Sequence, residues 1–444
     1  MTRGLQVQRV LTNSNDSDRS HSVIPGGAHT YSKGDDQFPA NAPGHLERGE
    51  GVQVWARDGR QFLDWTMGLR SVSLGYGIKA VNDAAIEQIA RGSNFGRPSF
   101  LETEYAEELL SFLPPYAEMV KYAKNGSNVT SAAVKLARAY TGRDYVALCK
   151  DHPFFSFDDW FIGTTPVDAG IPECERSCSL TFPYGNIDAL TTLFDAYPGK
   201  IACVILEAAT TADPPEGYLK AVRELCTRNR TVLVIDEMIT GFRWHKQGAQ
   251  ALYGIEADMA TFGKGIANGF SFAALVGRRD ILELGGIRSE RPRVFLLSGT
   301  HSAENHAIAA ARAALDIFKS EPVTENMWSI GAALIDGLNK AAEQAQIPKD
   351  RFRAGGVPCS PWYAFYEPDG SPSFPLRTLF LQEMIKHGVI INYIAPSWSH
   401  RPVHVEKTIA AARESLNVIG RALNGGVDGL LVGPSVKPVF RKHN

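Results

Sequence analysis

The stretch Thr231-Val232-Leu233-Val234-Ile235-Asp236-Glu237 decides the architecture. Its apolar residues form an unbroken run, rich in β-branched side chains and short, and the run closes on two acids. Such a run reads as a strand buried on both faces rather than one with a wet side. Working outward, Ile201-Ala202-Cys203-Val204-Ile205-Leu206-Glu207 repeats the pattern and also ends in an acid. Between the two, Leu219, Val222, Leu225 and Cys226 recur at helical spacing, as Val134, Leu136, Ala137 and Tyr140 do further upstream. Buried strands alternating with helices predict an α/β fold, with a mostly parallel sheet covered by helices on both faces. In such sheets ligands bind beyond the carboxyl ends of the strands. Glu207, Asp236, Glu237 and Lys264 all fall at predicted strand ends, Lys264 within Thr261-Phe262-Gly263-Lys264-Gly265-Ile266-Ala267-Asn268-Gly269-Phe270.

The rest of the chain bounds the reading. It has 444 residues, 44% of them hydrophobic, enough for one large core and a smaller satellite. The formal net charge of −2 and the absence of a long basic run argue against nucleic-acid or anionic-membrane partners. No apolar run approaches the roughly 20 residues of a membrane span. The polar start, MTRGLQVQRVLTNSNDSDRS, lacks the apolar core of a signal peptide. These features predict a soluble, cytoplasmic protein. Cys174 and Cys178 lie four apart without a second Cys or His pair, so no metal site is expected.

Residues 1–50, rich in Gly, Pro, Asn and Asp, read as an irregular arm. Residues 51–65 alternate apolar and polar side chains about Asp58-Gly59, a hairpin signal. Beyond about residue 330 come helix patterns at Ile330–Gln346, Leu376–His387 and Val405–Leu423, with a short strand at Val389–Tyr393. The expected organisation is an arm over 1–60 that packs with a small α+β domain over 331–444, and a large domain over 61–330.

Three features form a chemical set. An amine at a strand end can form an imine with the aldehyde of pyridoxal phosphate, and flanking glycines let backbone approach closely. An aspartate facing the pyridine nitrogen keeps it protonated, so that the ring accepts electrons. A Gly-Ser helix entrance offers N–H donors and a dipole to a phosphate. Lys264, Asp236 and Lys124-Asn125-Gly126-Ser127-Asn128-Val129-Thr130 supply the three.

Val234-Ile235-Asp236-Glu237-Met238-Ile239-Thr240-Gly241-Phe242-Arg243 followed by Thr261-Phe262-Gly263-Lys264 resembles the class III aminotransferases of pyridoxal phosphate fold type I, and most of all their glutamate-1-semialdehyde aminomutase branch. The resemblance runs from Ile24-Pro25-Gly26-Gly27 through Glu47–Gly51, Leu136–Asp144 and Ser298-Gly299-Thr300 to Ala395-Pro396-Ser397. It implies a seven-stranded sheet in the large domain. It also implies a lysine internal aldimine at Lys264, with the same amine as proton shuttle, and Asp236 on the pyridine nitrogen. Met238 would lie against one ring face and Phe154 against the other. Gly126, Ser127 and Asn128 would form the phosphate turn, and Glu207 would sit near the phenolic oxygen. Gly299 and Thr300 would reach the phosphate from a neighbouring subunit, which implies a homodimer with active sites at its interface.

The chain departs from that branch on the substrate side. Lys33 stands where the branch carries a carboxylate-binding arginine, and a lysine lacks the bidentate fork. Phe154-Phe155 replaces a tyrosine-histidine pair, and Trp398-Ser399-His400-Arg401 replaces an acidic segment. Lys33, Arg70, Phe155 and Arg401 are therefore the candidate substrate contacts. The expected activity moves an amino group between a small-molecule donor and a carbonyl acceptor. Intramolecular transfer of the aminomutase type is the alternative, followed by racemisation on the same scaffold.

Overall fold

The structure, a computed structural model, describes residues 16–443, so the first fifteen residues of the expected arm lie outside the described residues. In chain order its strands are β1 (Leu46–Glu50), β2 (Gln53–Ala56), β3 (Gln61–Asp64), β4 (Met119–Ala123), β5 (Tyr145–Cys149), β6 (Ser179–Phe182), β7 (Ile201–Leu206), β8 (Val232–Glu237), β9 (Met259–Phe262), β10 (Ala273–Gly277), β11 (Phe352–Gly355), β12 (Trp362–Phe365) and β13 (Val389–Ile390). The chain divides into two compact units. One comprises residues up to Leu69 with Gly75–Gly77 and Glu325–Arg441, the other Arg70–Leu74 and Ile78–Thr324.

The second, larger unit holds a seven-stranded sheet in the order β4-β10-β9-β8-β7-β5-β6. β10 runs antiparallel to both β4 and β9, and every other pairing is parallel. Every residue of β7, β8, β9 and β10 is buried, which is what apolar runs without polar alternation require. The helix Gly126–Thr141 buries Val129, Ala133, Leu136 and Ala137, and the helix Tyr218–Arg228 buries Leu219, Val222 and Cys226. Val134 and Leu136 share one core with Ile205, Val234, Met259 and Leu275. Each fully buried side chain of this size contributes about 1.5–3 kcal/mol.

The other unit carries a four-stranded sheet, β1-β2-β3-β13, and the hairpin β11-β12. The turn expected at Asp58-Gly59 is present. Gly59 adopts φ 82° and its N–H donates to Ala56 O, while Ala56 N–H donates to Arg60 O, closing β2 onto β3. Trp65, wholly buried, donates its indole N–H to Thr408 Oγ1 at 2.8 Å and stacks on His400 at 4.1 Å. Leu334, Leu379 and Leu416 complete this core.

Three expectations are corrected here. The arm is not irregular throughout, since Leu46–Glu50 pairs antiparallel with β2. Its polar, solvent-facing residues show no apolar alternation, so nothing in the pattern marks a strand. The strand expected at Val389–Tyr393 is confined to Val389–Ile390, parallel to β3. The boundaries expected at residues 60 and 330 fall at 69 and 325, because β3 is hydrogen-bonded between β2 and β13 and stays with them. Among the described residues no helix is long and apolar enough to cross a membrane.

Candidate active site

Because β10 alone is reversed in the large sheet, the chain leaves β4, β5, β7, β8 and β9 at one edge. That edge carries Gly126, His152, Glu207, Asp236 and Lys264.

β8 and β9 are parallel neighbours with Asp236 opposite Thr261 and Glu237 opposite Phe262. This register lets Thr261 donate its hydroxyl to Asp236 Oδ1 at 2.9 Å. Met238 N–H donates to the same oxygen at 2.8 Å. Asp236 is wholly buried, and among the described residues its Oδ2 has no hydrogen-bond partner. Burial pushes the carboxyl up to about 6, against the opposing pull of the Lys264 charge and these two donors. A buried acceptor left unpaired costs about 1–3 kcal/mol. A cationic N–H donor arriving in the site would relieve that penalty, so this carboxylate fits the protonated pyridine nitrogen of the expected cofactor.

Lys264 opens the short 3₁₀ turn Lys264–Ala267 with φ 44°, a left-handed conformation that costs a non-glycine residue about 1–2 kcal/mol. Burial pulls its ammonium below the ordinary lysine value; Arg70 and Arg243 add to that pull, and Asp236 and Glu207 oppose it. An amine held below its usual value is more often neutral and so available as a nucleophile. Glu207 is buried, and burial and Asp236 push its carboxyl up to about 8, with Lys264 and Arg70 opposing. Its Oε1 has no hydrogen-bond partner. The raised value favours its protonated form, which can donate a hydrogen bond.

The glycines flanking Lys264 clear space for neighbouring protein atoms. A Cβ on Gly263 would strike Met238 Sδ, and one on Gly265 would lie 2.6 Å from Ser73 Oγ. A Cβ on Gly126 would also meet Met238 Sδ, at 2.8 Å. Met238 is thus wedged, buried, between the lysine turn and the Gly126 turn.

Gly126 begins a helix that runs to Thr141, capped by Asn125, whose Oδ1 accepts from Asn128 N–H at 3.0 Å. The cap consumes the Asn128 N–H, which leaves the Gly126 and Ser127 N–H groups of the first turn for an anion. Ser127 is buried and its Oγ accepts from Phe157 N–H at 3.1 Å, so the hydroxyl proton remains to be donated.

Lys264, Asp236, Glu207, Met238, Gly126 and Ser127 are therefore gathered at one sheet edge, and the Arg70 charge acts on Lys264 and Glu207. The other candidates differ in exposure and in the unit that carries them. Phe155 is 1% exposed and packs edge-on against Phe161 and His152, which makes it core and removes it from the substrate candidates. Phe154 is 42% exposed, with its edge against Phe161. Gly299 and Thr300 are exposed, held by Ser302 Oγ on Gly299 N–H and by Asn94 Nδ2 on Thr300 O. Lys33 and Arg401 belong to the other unit. There Lys33 is exposed at the end of the turn Tyr31–Lys33. Arg401 donates to the carbonyls of Trp398 and His400 and lies 4.9 Å from the Trp398 ring.

Two site residues were missed in the sequence. His152 accepts at Nδ1 from Glu207 N–H at 3.0 Å and is held neutral by burial, its value lowered to about 3. Ser73 abuts Gly265 and accepts from Arg243 Nη2 at 3.2 Å. His152 follows β5 at the same edge as the acids, a placement the strand pattern could have flagged. Nothing local marks Ser73.

The family model described as Aminotransferase class-III matches residues 36–395. A glutamate-1-semialdehyde 2,1-aminomutase from Roseiflexus castenholzii is 31% identical over 92% of this chain and 97% of its own length. A 3-aminobutyryl-CoA aminotransferase from Cloacimonas acidaminovorans is 28% identical over 91% of this chain and 97% of its own. Among solved structures, the FumI protein of Sphingopyxis sp. MTA144 in its PLP internal aldimine form superposes with a TM-score of 0.84 at 25% identity, covering 93% of this chain and 97% of that one. An omega-transaminase from Sphaerobacter thermophilus gives 0.81 at 22% identity over 92% and 98%, a likeness of fold.

Proposed function

Since the chain belongs to the class III aminotransferase family and is a pyridoxal-phosphate-dependent enzyme of amino-group transfer, we propose that Lys264 and Asp236 are its catalytic pair, and that it passes an amino group from a small-molecule donor to a separate carbonyl acceptor. The observation that carries the assignment is the unpaired, buried Asp236 Oδ2 on the strand next to a lysine whose ammonium is destabilised.

Pyridoxal phosphate, when bound, supplies an electron sink and an aldehyde. The protein's own groups do the rest. Lys264 Nζ would hold the aldehyde carbon, and its free amine would take and return a proton at the substrate carbon. Asp236 Oδ2 would accept the pyridine N–H and so keep that nitrogen protonated. The Gly126 and Ser127 N–H groups and the Ser127 hydroxyl, at the positive end of a helix, hold the phosphate. Protonated Glu207 offers a hydrogen bond on the phenolic side. Met238 and Phe154 would hold the cofactor ring between them. Gly299 and Thr300, exposed in a single chain, serve the phosphate of a second copy, which makes the working form a homodimer. The cytoplasm is its compartment, in keeping with six free cysteines.

Intramolecular transfer is the second reading, supported by the 31% identity to an aminomutase. A donor titration separates the two. Conversion of the visible cofactor band by glutamate, with release of 2-oxoglutarate, is the expected result. Conversion only by a diamino or amino-aldehyde compound would replace transferase with mutase.

A further inference from the structure

The unit that carries the four-stranded sheet holds a cavity of about 240 Å³, lined by Gln37 and by residues between 364 and 439. One wall is the first turn of the helix Phe374–Lys386, from its cap Ser373 to Arg377. Ser373 is 2% exposed, and its Oγ accepts from Leu376 N–H at 3.4 Å, so the hydroxyl proton remains to be donated. Arg377 is half-buried. Its Nη2 donates to Asn392 O at 2.6 Å, and its guanidinium carbon lies 5.3 Å from the Tyr363 ring centre. These contacts fix the group and leave its other N–H donors for a ligand.

The C-terminal segment supplies a second cation. Val436 N–H donates to Thr378 Oγ1 at 2.9 Å and Lys437 N–H to Asp36 O at 2.9 Å, while Gln37 Nε2 donates to Lys437 O at 3.0 Å. Lys437 is thus held at the cavity through its own N–H and C=O. No aspartate or glutamate lines the cavity, and Asp36, next to Gln37, is paired with Arg441 at 2.6 Å. Phe365, Phe374 and Tyr393 add flat apolar surface. Asn392, 3% exposed, also lines the cavity. Its Nδ2 donates to Gln37 O, which fixes the amide, and among the described residues its buried Oδ1 has no hydrogen-bond partner.

We propose that this cavity is a separate small-molecule site, and that its ligand is a phosphate monoester of a single flat ring bearing a hydroxyl. Arg377, Lys437, the Ser373 hydroxyl and the positive end of a helix match the roughly two charges and three acceptor oxygens of a phosphate. The aromatic walls take the ring. A ring hydroxyl gives Asn392 Oδ1 the donor it lacks, which relieves a buried acceptor. The volume falls below the about 300–1,000 Å³ of sites for drug-sized ligands, so it suits one ring rather than a nucleotide. None of these groups belongs to the proposed catalytic set, so the site stands or falls independently of amino transfer.

The test is titration calorimetry of the cofactor-loaded protein with phenyl phosphate, while the visible cofactor absorbance is followed. Binding is expected with that absorbance unchanged. Lys437→Glu, at an exposed residue, should weaken it about tenfold or more, and Arg377→Gln by a similar factor. At least one hydroxyphenyl phosphate isomer should bind more tightly than phenyl phosphate, and Asn392→Ala should remove that gain. No heat of binding up to about 10 mM phenyl phosphate overturns the site. So does binding within twofold of wild type in Lys437→Glu, a variant that leaves the buried lining untouched. A cofactor band that shifts in step with the heat would put the probe at Lys264 and overturn the site as well. Benzoate or benzyl alcohol binding as tightly as phenyl phosphate overturns the phosphate assignment, and inorganic phosphate doing so overturns the ring. If no hydroxyphenyl isomer improves on phenyl phosphate, the Asn392 contact is wrong.

Discussion

Asp236 and Glu237 are adjacent on β8, both carboxylates, both buried, and they do opposite work. Glu237 Oε2 accepts from Ala249 N–H at 2.9 Å and from the Thr240 hydroxyl, and its Oε1 accepts from Gln250 N–H at 2.9 Å. Both of its oxygens are occupied by the protein, and it ties the start of the short helix Ala249–Tyr253 to the sheet. Asp236 spends one oxygen on two donors and leaves the other bare. A carboxylate whose lone pairs are met belongs to the scaffold. One that keeps a buried acceptor unpaired stores a penalty that a ligand can release.

The largest effect should come from the lysine beyond the neighbouring strand. Lys264→Ala should abolish borohydride-trapped cofactor and remove at least the roughly 10²–10⁴-fold that a positioned proton carrier contributes. Trapping on another lysine would break the assignment. Next, Asp236→Asn should still load cofactor while turnover falls by a comparable factor of about 10²–10³. Near-normal turnover would reduce Asp236 to a second Glu237. Glu237→Gln should do the reverse. Denaturant unfolding should show a loss of about 2–3 kcal/mol, while turnover per folded molecule holds. Lost turnover at unchanged stability would erase the distinction.

A smaller effect follows from pH. Asp236 and Glu207 have folded values raised to about 6 and about 8 from ordinary values of 3.8 and 4.5. The folded protein therefore holds these protons more tightly than the unfolded chain. Their contribution to stability falls as pH rises from the ordinary values to the raised ones and levels off above about 8, while the lowered values of His152 and Lys264 act in the opposite direction. Melting temperatures of the cofactor-free protein from pH 5 to 9 should show this decline, and Asp236→Asn should flatten its lower part. An identical profile in the variant would mean that Oδ2 is not bare. The smallest expected effect is Gly265→Ala, about 1–3 kcal/mol from crowding Ser73 Oγ, partly recovered in combination with Ser73→Ala.

The sequence carried the scaffold legibly, since unbroken apolar runs ending in acids have few other readings. Lys264 and Asp236 stood out for the same reason, each at the end of a strand, and the Gly126 turn stood out as a Gly-Ser helix entrance. The difference between Asp236 and Glu237 was not, because it depends on Thr261 in the neighbouring strand and on N–H groups twelve and thirteen residues away at Ala249 and Gln250. Nor could Phe154 and Phe155 be told apart, since a loop has no period to say which ring turns inward. The bracing of Gly265 by Ser73 joins segments remote in sequence, and no local pattern announces it.

The single reversed strand, β10, bears on how fast the amine can act. Antiparallel neighbours need no helical crossover, so residues 263–272 return directly from β9 to β10. Lys264 is tethered to hydrogen-bonded strands on both sides, and once displaced its amine has nowhere to diffuse. In the proposed role its recapture of a bound cofactor would be intramolecular. The effective concentration of that amine at the reacting carbon stays far above what any free amine in solution could reach, turnover after turnover.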